Sequence, residues 1–126
     1  MASPRILIVD DEVALSWHWI APLVRRDYFV DNALSGEMAL RMLAERRYEV
    51  VILDLLMPNI SGADVLRAIR DGKTQNGNIG TPETVKVLVW SVYDNPREIA
   101  LGADAYCSKV EFSPTSLLRE IERLLS

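Results

Sequence analysis

A chain of 126 residues, 49% hydrophobic and 25% charged, has the size and balance of one compact domain, so residues 1–126 are expected to fold as a single unit. A net charge of −4 with both signs interspersed gives no basic face for nucleic-acid phosphates, and no apolar run approaches the roughly 18 residues of a membrane span. The single cysteine, Cys107, permits no internal disulfide and no secretory signal precedes the first aliphatic run, so a cytoplasmic setting is expected.

The first of five short aliphatic runs is Arg5–Val9 (RILIV), and three acids follow it: Asp10, Asp11 and Glu12. The next segment reads as a helix containing LSWHWI. Adjacent helical residues point about 100° apart, so Trp17 and Trp19 cannot both face the core, and His18 between them reads as a packed or surface residue rather than a phosphohistidine. Pro22 lacks the amide that would bond back to residue 18, and should disturb this helix. The second run is Tyr28–Val30; after it, Ala39, Met42 and Leu43 form a helical stripe behind Ser35.

The third run, Glu49–Leu53, reads as a strand buried on both faces and runs into Asp54. An ionised carboxylate there is expensive unless it is paired, hydrogen-bonded or bound to a metal. Ser61 and Asp64 then resemble a capping box, ahead of an apolar stripe of Val65, Leu66 and Ile69. The segment 71–83 (DGKTQNGNIGTPE) is polar and without periodicity, and reads as a long loop at the amino edge of the sheet: a tolerated surface insertion or a partner-docking loop. The fourth run, Val85–Trp90, ends at Ser91. The fifth, Ala105–Cys107, leads to Lys109, and Cys107 reads as a packing residue. A final helix carries Leu117, Leu118, Ile121, Leu124 and Leu125 on one face, with Ser113 as cap and Pro114 in the first turn.

Strand and helix alternating five times specify an α/β, doubly wound parallel sheet of five strands flanked by five helices, because each right-handed crossover lays its helix on the sheet. With strand order 2-1-3-4-5, the first and third strands are neighbours, and Asp10, Asp11 and Asp54 meet beyond their carboxyl ends. Three carboxylates packed together raise one another's pKa unless a cation neutralises them. Oxygen donors with no His or Cys nearby favour a hard ion, and a few carboxylates plus waters suit Mg²⁺ better than Ca²⁺. Lys109 adds a second positive charge. A metal and an ammonium about one carboxylate form a clamp for a phosphoryl group, with Asp54 as nucleophile and the Ser91 hydroxyl as donor to a phosphoryl oxygen.

The motifs IVDDE, LDLLMPNISG, WS and GADAYCSK, in this order over nearly the whole chain, resemble the receiver domains of bacterial response regulators, which have a flavodoxin-like fold. The resemblance implies that Asp54 is the phosphoacceptor, that Asp11, Asp54 and the backbone carbonyl of Leu56 hold Mg²⁺ directly, and that Asp10 holds it through water. It further implies that Lys109 is the ion-pairing lysine, Ser91 the switch hydroxyl and Tyr106 the switch aromatic. The implied partners are a histidine kinase or phosphotransfer protein upstream and an effector protein or output domain downstream. A homodimer through the fourth helix, last strand and last helix is implied by the resemblance alone. The domain would catalyse only its own phosphorylation and dephosphorylation.

Two positions depart from the family pattern. Val110 stands where proline usually follows the lysine, so the bond is expected to be trans with Lys109 still reaching Asp54. Val92 stands where a small residue usually follows the switch hydroxyl, and Leu56 offers no polar side chain to guide water, so slow dephosphorylation and poor labelling by acetyl phosphate are expected. The alternative class is a phosphorylation-independent interaction module of the same shape, with both valines disabling the chemistry. A Mg²⁺-dependent phosphohydrolase fits less well, because Leu56 occupies the offset from Asp54 at which that class places its second acid.

Overall fold

In a computed structural model of the chain, residues 3–92 and 96–126 are described. Among the described residues there are seven strands, β1 (Arg5–Val9), β2 (Phe29–Ala33), β3 (Val50–Asp54), β4 (Gln75–Asn76), β5 (Ile79–Gly80), β6 (Lys86–Ser91) and β7 (Ala105–Ser108), and five helices, α1 (Val13–Arg25), α2 (Gly36–Glu45), α3 (Gly62–Arg70), α4 (Pro96–Ile99) and α5 (Pro114–Leu125). The main sheet has the order β2-β1-β3-β6-β7 and every pairing in it is parallel. This is the expected 2-1-3-4-5 order once the two short strands are set aside.

Alternation along the buried strands divides the core between the two faces of the sheet. Leu7, Val9, Val51, Leu53, Val87 and Val89 face one way, where Ala39 and Leu43 of α2 and Val65, Leu66 and Ile69 of α3 cover them. Ile6, Ile8, Val50, Ile52, Leu88 and Trp90 face the other, under Ile20 and Leu23 of α1 and Leu117, Ile121 and Leu124 of α5. Each fully buried aliphatic side chain contributes about 1.5–3 kcal/mol. Both predicted caps form: the Ser113 side chain accepts from the Ser116 N–H, and Ser61 and Asp64 make a complete capping box at α3.

The structure corrects three expectations. α1 runs to Arg25 with Pro22 inside it, so loss of one amide is tolerated where the surrounding helix is packed. Trp19 packs edge-on against Trp90, with ring centroids 4.4 Å apart, while Trp17 remains 63% exposed and His18 lies on the surface. β2 begins one residue later than expected and continues three further, through Asp31 and Asn32. It is an edge strand, where polar residues are compatible with pairing on one side only. Finally, segment 71–83 is not a bare loop. Its centre is the antiparallel β4–β5 hairpin, turned at Gly77 with φ +61°.

That hairpin is bonded into the domain. The Thr81 N–H donates to the Leu43 carbonyl at 2.7 Å, and its hydroxyl donates to the Arg46 carbonyl at 2.6 Å while accepting from the Tyr48 N–H at 3.1 Å. Thr74 donates to the Thr81 carbonyl at 2.8 Å. Both threonines are buried. Thr81 satisfies carbonyls at the end of α2 that would otherwise be orphaned.

Candidate functional site at the carboxyl edge of the sheet

Parallel register builds the site from separate elements. Val9 is paired with Leu53 on adjoining strands, so Asp10 and Asp54 are the next residues along each, and Asp54 in turn is paired with Trp90, which places Ser91 one residue beyond it. Ser91 is buried, and its carbonyl accepts from the Lys109 N–H at 2.9 Å, fixing the exit of β7 beside the end of β6.

One carboxylate oxygen each from Asp10, Asp11 and Asp54 lies within 4.8 Å of the others. Asp10 and Asp54 are buried, Asp54 to 5% exposure, whereas Asp11 opens to solvent. Asp10 turns back on its own loop, its Oδ1 accepting from the Glu12 N–H at 2.9 Å. Asp54 Oδ1 accepts from the Leu56 N–H at 3.1 Å. Lys109 Nζ faces both acids, 3.2 Å from Asp10 Oδ2 and 3.4 Å from Asp54 Oδ2. The Lys109–Val110 peptide is trans, as expected, and Lys109 still reaches Asp54.

Burial raises the Asp54 carboxyl above its ordinary value. Lys109 and the Leu56 N–H pull the other way, and Asp10 adds to the rise. Burial is the largest of these causes, so the ammonium compensates only part of the desolvation. An all-oxygen donor set with two buried members and one open to water fits a hard divalent cation and leaves positions for water. The residues present therefore fit Mg²⁺.

Gly62 is a site residue that sequence reasoning missed. A β-carbon there would stand 2.2 Å from the Asp54 carbonyl oxygen and 2.8 Å from Leu55 Cα. The loop between β3 and α3 turns through Asn59 at φ +66° and brings the start of α3 directly against the strand end. Its only sequence signal is a glycine at the first position after a capping serine. Among the other expected residues, Leu56 and Val92 project to solvent at 58% and 49% exposure, and Val110 at 80%. Tyr106 lies on β7 opposite Val89, half-buried, with its hydroxyl donating to the Ala100 carbonyl. Cys107 is buried on the opposite face, its thiol pushed up to about 12 chiefly by burial, in keeping with a packing role.

A doubly wound parallel sheet with this acid–ammonium cluster at its carboxyl edge defines a class, and the comparisons give it a family. Residues 6–122 match the response regulator receiver domain, and the chain belongs to that family, the receiver modules of two-component signalling. It is 32% identical over 121 residues to the response regulator ArlR of Staphylococcus saprophyticus, covering 96% of this chain and 52% of the relative. It is 31% identical to the transcriptional regulatory protein ResD of Bacillus subtilis, covering 96% of this chain and 48% of that protein. The chain thus spans about half the length of these curated relatives.

Among solved structures, the Vibrio cholerae chemotaxis protein CheY4 superposes with a TM-score of 0.83 at 26% identity, over 98% of this chain and 100% of that one. The response regulator TrrA of Thermotoga maritima, solved in complex with Mg²⁺-BeF, gives 0.79 at 32% identity over 97% and 99%. Receiver domains are signalling modules rather than turnover enzymes. Among the described residues, no helix is long and apolar enough to cross a membrane.

Proposed function

We propose that residues 1–126 form a single receiver domain that accepts a phosphoryl group on Asp54 from the phosphohistidine of a histidine kinase or phosphotransfer protein, in the cytoplasm. The phosphorus–nitrogen bond of the donor breaks as a bond to an Asp54 oxygen forms, and the imidazole leaves and recovers its proton from water. Asp11, Asp54 and the Leu56 carbonyl are the proposed direct Mg²⁺ ligands, with Asp10 acting through water. When bound, the ion supplies charge neutralisation at the phosphoryl oxygens. Lys109 neutralises the opposite side, and Ser91 donates a hydrogen bond to the transferred group.

One observation carries this reading: the buried Asp54 carboxylate meets Asp10, Asp11 and the Lys109 ammonium at a single point. TrrA was captured with Mg²⁺-BeF, and its likeness to this chain supports the ion and the phosphoryl chemistry together. Ser91 and Tyr106 are the proposed switch pair: new charge-assisted bonds at the acceptor would shift the balance between two arrangements of the α4–β7–α5 face. That face would then bind an effector protein, an output domain or a second copy of the chain.

The test is intact mass after incubation with Mg²⁺ and a phosphorylated donor protein. Wild type should gain one phosphoryl group and Asp54→Ala none. Equal labelling of both would sink the assignment, and labelling of neither across several donors would favour the phosphorylation-independent module.

A further inference from the structure

β7 serves two neighbours. Lys109, just past its end, pairs with Asp10 and Asp54, while Tyr106 within it is held from the side of α4. The Tyr106 hydroxyl donates to the Ala100 carbonyl at 2.7 Å and accepts from the Ala103 N–H at 3.3 Å. The Arg97 guanidinium lies 4.4 Å from the ring centroid, over its face. α4 is described over a single turn, Pro96–Ile99. The turn holds the ring, and the ring holds the turn.

Register shows what a displaced ring would meet. Tyr106 packs against the cluster that contains Val87 and Val89. Val89 is its partner across the strands, and Ser91 lies two residues further along the same face, because side chains alternate with period two. Ser91 is buried and stands one residue beyond the partner of Asp54. Movement of the phenol toward Ser91 must therefore break both hydroxyl hydrogen bonds and draw the ring from under the guanidinium. The carbonyl and the amide come with any sequence of the turn. Arg97 is the part of this clasp that the side chain alone supplies.

We propose that Arg97 is a positioning residue: it clasps Tyr106 against the Ala100–Ala103 turn and thereby restrains loading of the Asp54 pocket, a role that rests on the phosphoacceptor reading above. Losing an exposed cation–π contact corresponds to about a two- to fivefold change in an equilibrium. Arg97→Ala should accordingly bind beryllofluoride with Mg²⁺ about two- to fivefold more tightly than wild type by calorimetry. Arg97→Lys, which retains a cation, should match wild type. In Arg97→Ala without ligand, the Tyr106 ring resonances should already move toward their positions in loaded wild type.

Thermal denaturation checks that the variants are folded, and Arg97→Gln replaces Arg97→Ala if the latter is not. Unchanged or weaker binding by the folded variant would overturn the clasp, as would Arg97→Lys behaving like Arg97→Ala. If wild type itself failed to bind beryllofluoride, the acceptor reading would fall. The clasp would then stand or fall on whether removing Arg97 shifts the Tyr106 ring signal.

Discussion

At Asp54 the fold holds a carboxyl group where burial outweighs the help it receives from Lys109 and the Leu56 N–H, so its pKa is raised. A carboxyl that binds its proton more tightly folded than unfolded makes stability fall as pH rises from the ordinary carboxylate value, near 4, through the raised one. Above that window the whole loss is present. Asp54→Asn lacks it, and Lys109 keeps Asp10 as a partner at 3.2 Å. In metal-free buffer the variant should therefore melt a few degrees higher than wild type at pH 8, since about 1 kcal/mol corresponds to roughly 3–6 °C at this chain length. The difference should shrink toward zero as pH falls below about 4, and equal melting temperatures at pH 8 would refute the sign. The apolar side chains of Val92 and Leu56, both open to solvent, are expected to act on water and small donors rather than on protons. Val92→Ala should speed loss of the phosphoryl group from Asp54 by about three- to tenfold, a barrier change of about 0.7–1.4 kcal/mol, and should improve labelling by acetyl phosphate. Decay of the phosphorylated mass species with time measures the first, and a rate unchanged by the substitution would show that the valine does not shield the site.

Two junctions between elements fix the geometry that the residues use. At the first, α3 starts so close to the end of β3 that only glycine fits: Gly62→Ala places a methyl group 2.2 Å from the Asp54 carbonyl oxygen. Overpacking of this kind costs about 1–3 kcal/mol, and urea unfolding of the variant should show a loss of that size together with weaker Mg²⁺ binding, because the displaced backbone is that of Asp54. At the second, Thr81 joins the β4–β5 hairpin to the end of α2. Thr81→Val keeps the shape but strands the Arg46 carbonyl and the Tyr48 N–H, so a loss of about 2–6 kcal/mol is expected at about 1–3 kcal/mol per unsatisfied buried group, with little change in labelling of Asp54. A hairpin that melted without affecting global stability would contradict this. These junctions also show what sequence reading can reach. The inner strands were legible because burial on both faces demands continuous aliphatic runs, as in Val50–Leu53. β2 was blurred because Asp31 and Asn32 sit on an edge that tolerates polarity. The hairpin was invisible because Thr81 finds its partners 33 to 38 residues away, at Tyr48, Arg46 and Leu43, and no local periodicity reports such a bond. Gly62 was missed for the same reason: its constraint lies in the strand it touches.

Across the whole molecule, the acids became legible as a group once strand order was inferred, since Asp10 and Asp54 lie 44 positions apart in the chain yet adjoin in register. No single element forms the pocket. β1, β3 and the segment after β7 each deliver part of it, so an ion held there ties together elements that separate when the chain unfolds. Binding to the folded state alone stabilises by RT ln(1 + [L]/Kd), about 2.7 kcal/mol at a hundredfold excess over Kd, or roughly 8–16 °C for a chain of this length. An ion held there would also favour the charged form of Asp54, whose burial Lys109 offsets only in part. Titrating wild type with MgCl₂ should therefore raise its melting temperature to a plateau by several degrees, while NaCl at matched ionic strength does not. Asp54→Asn and Asp11→Asn should each lose most of that rise, for opposite starting reasons: the first should begin from a higher metal-free melting temperature, whereas the second removes an exposed carboxylate, the proposed ligand, and should begin close to wild type. A rise of equal size in wild type and both variants would show that Mg²⁺ acts elsewhere on this acidic surface.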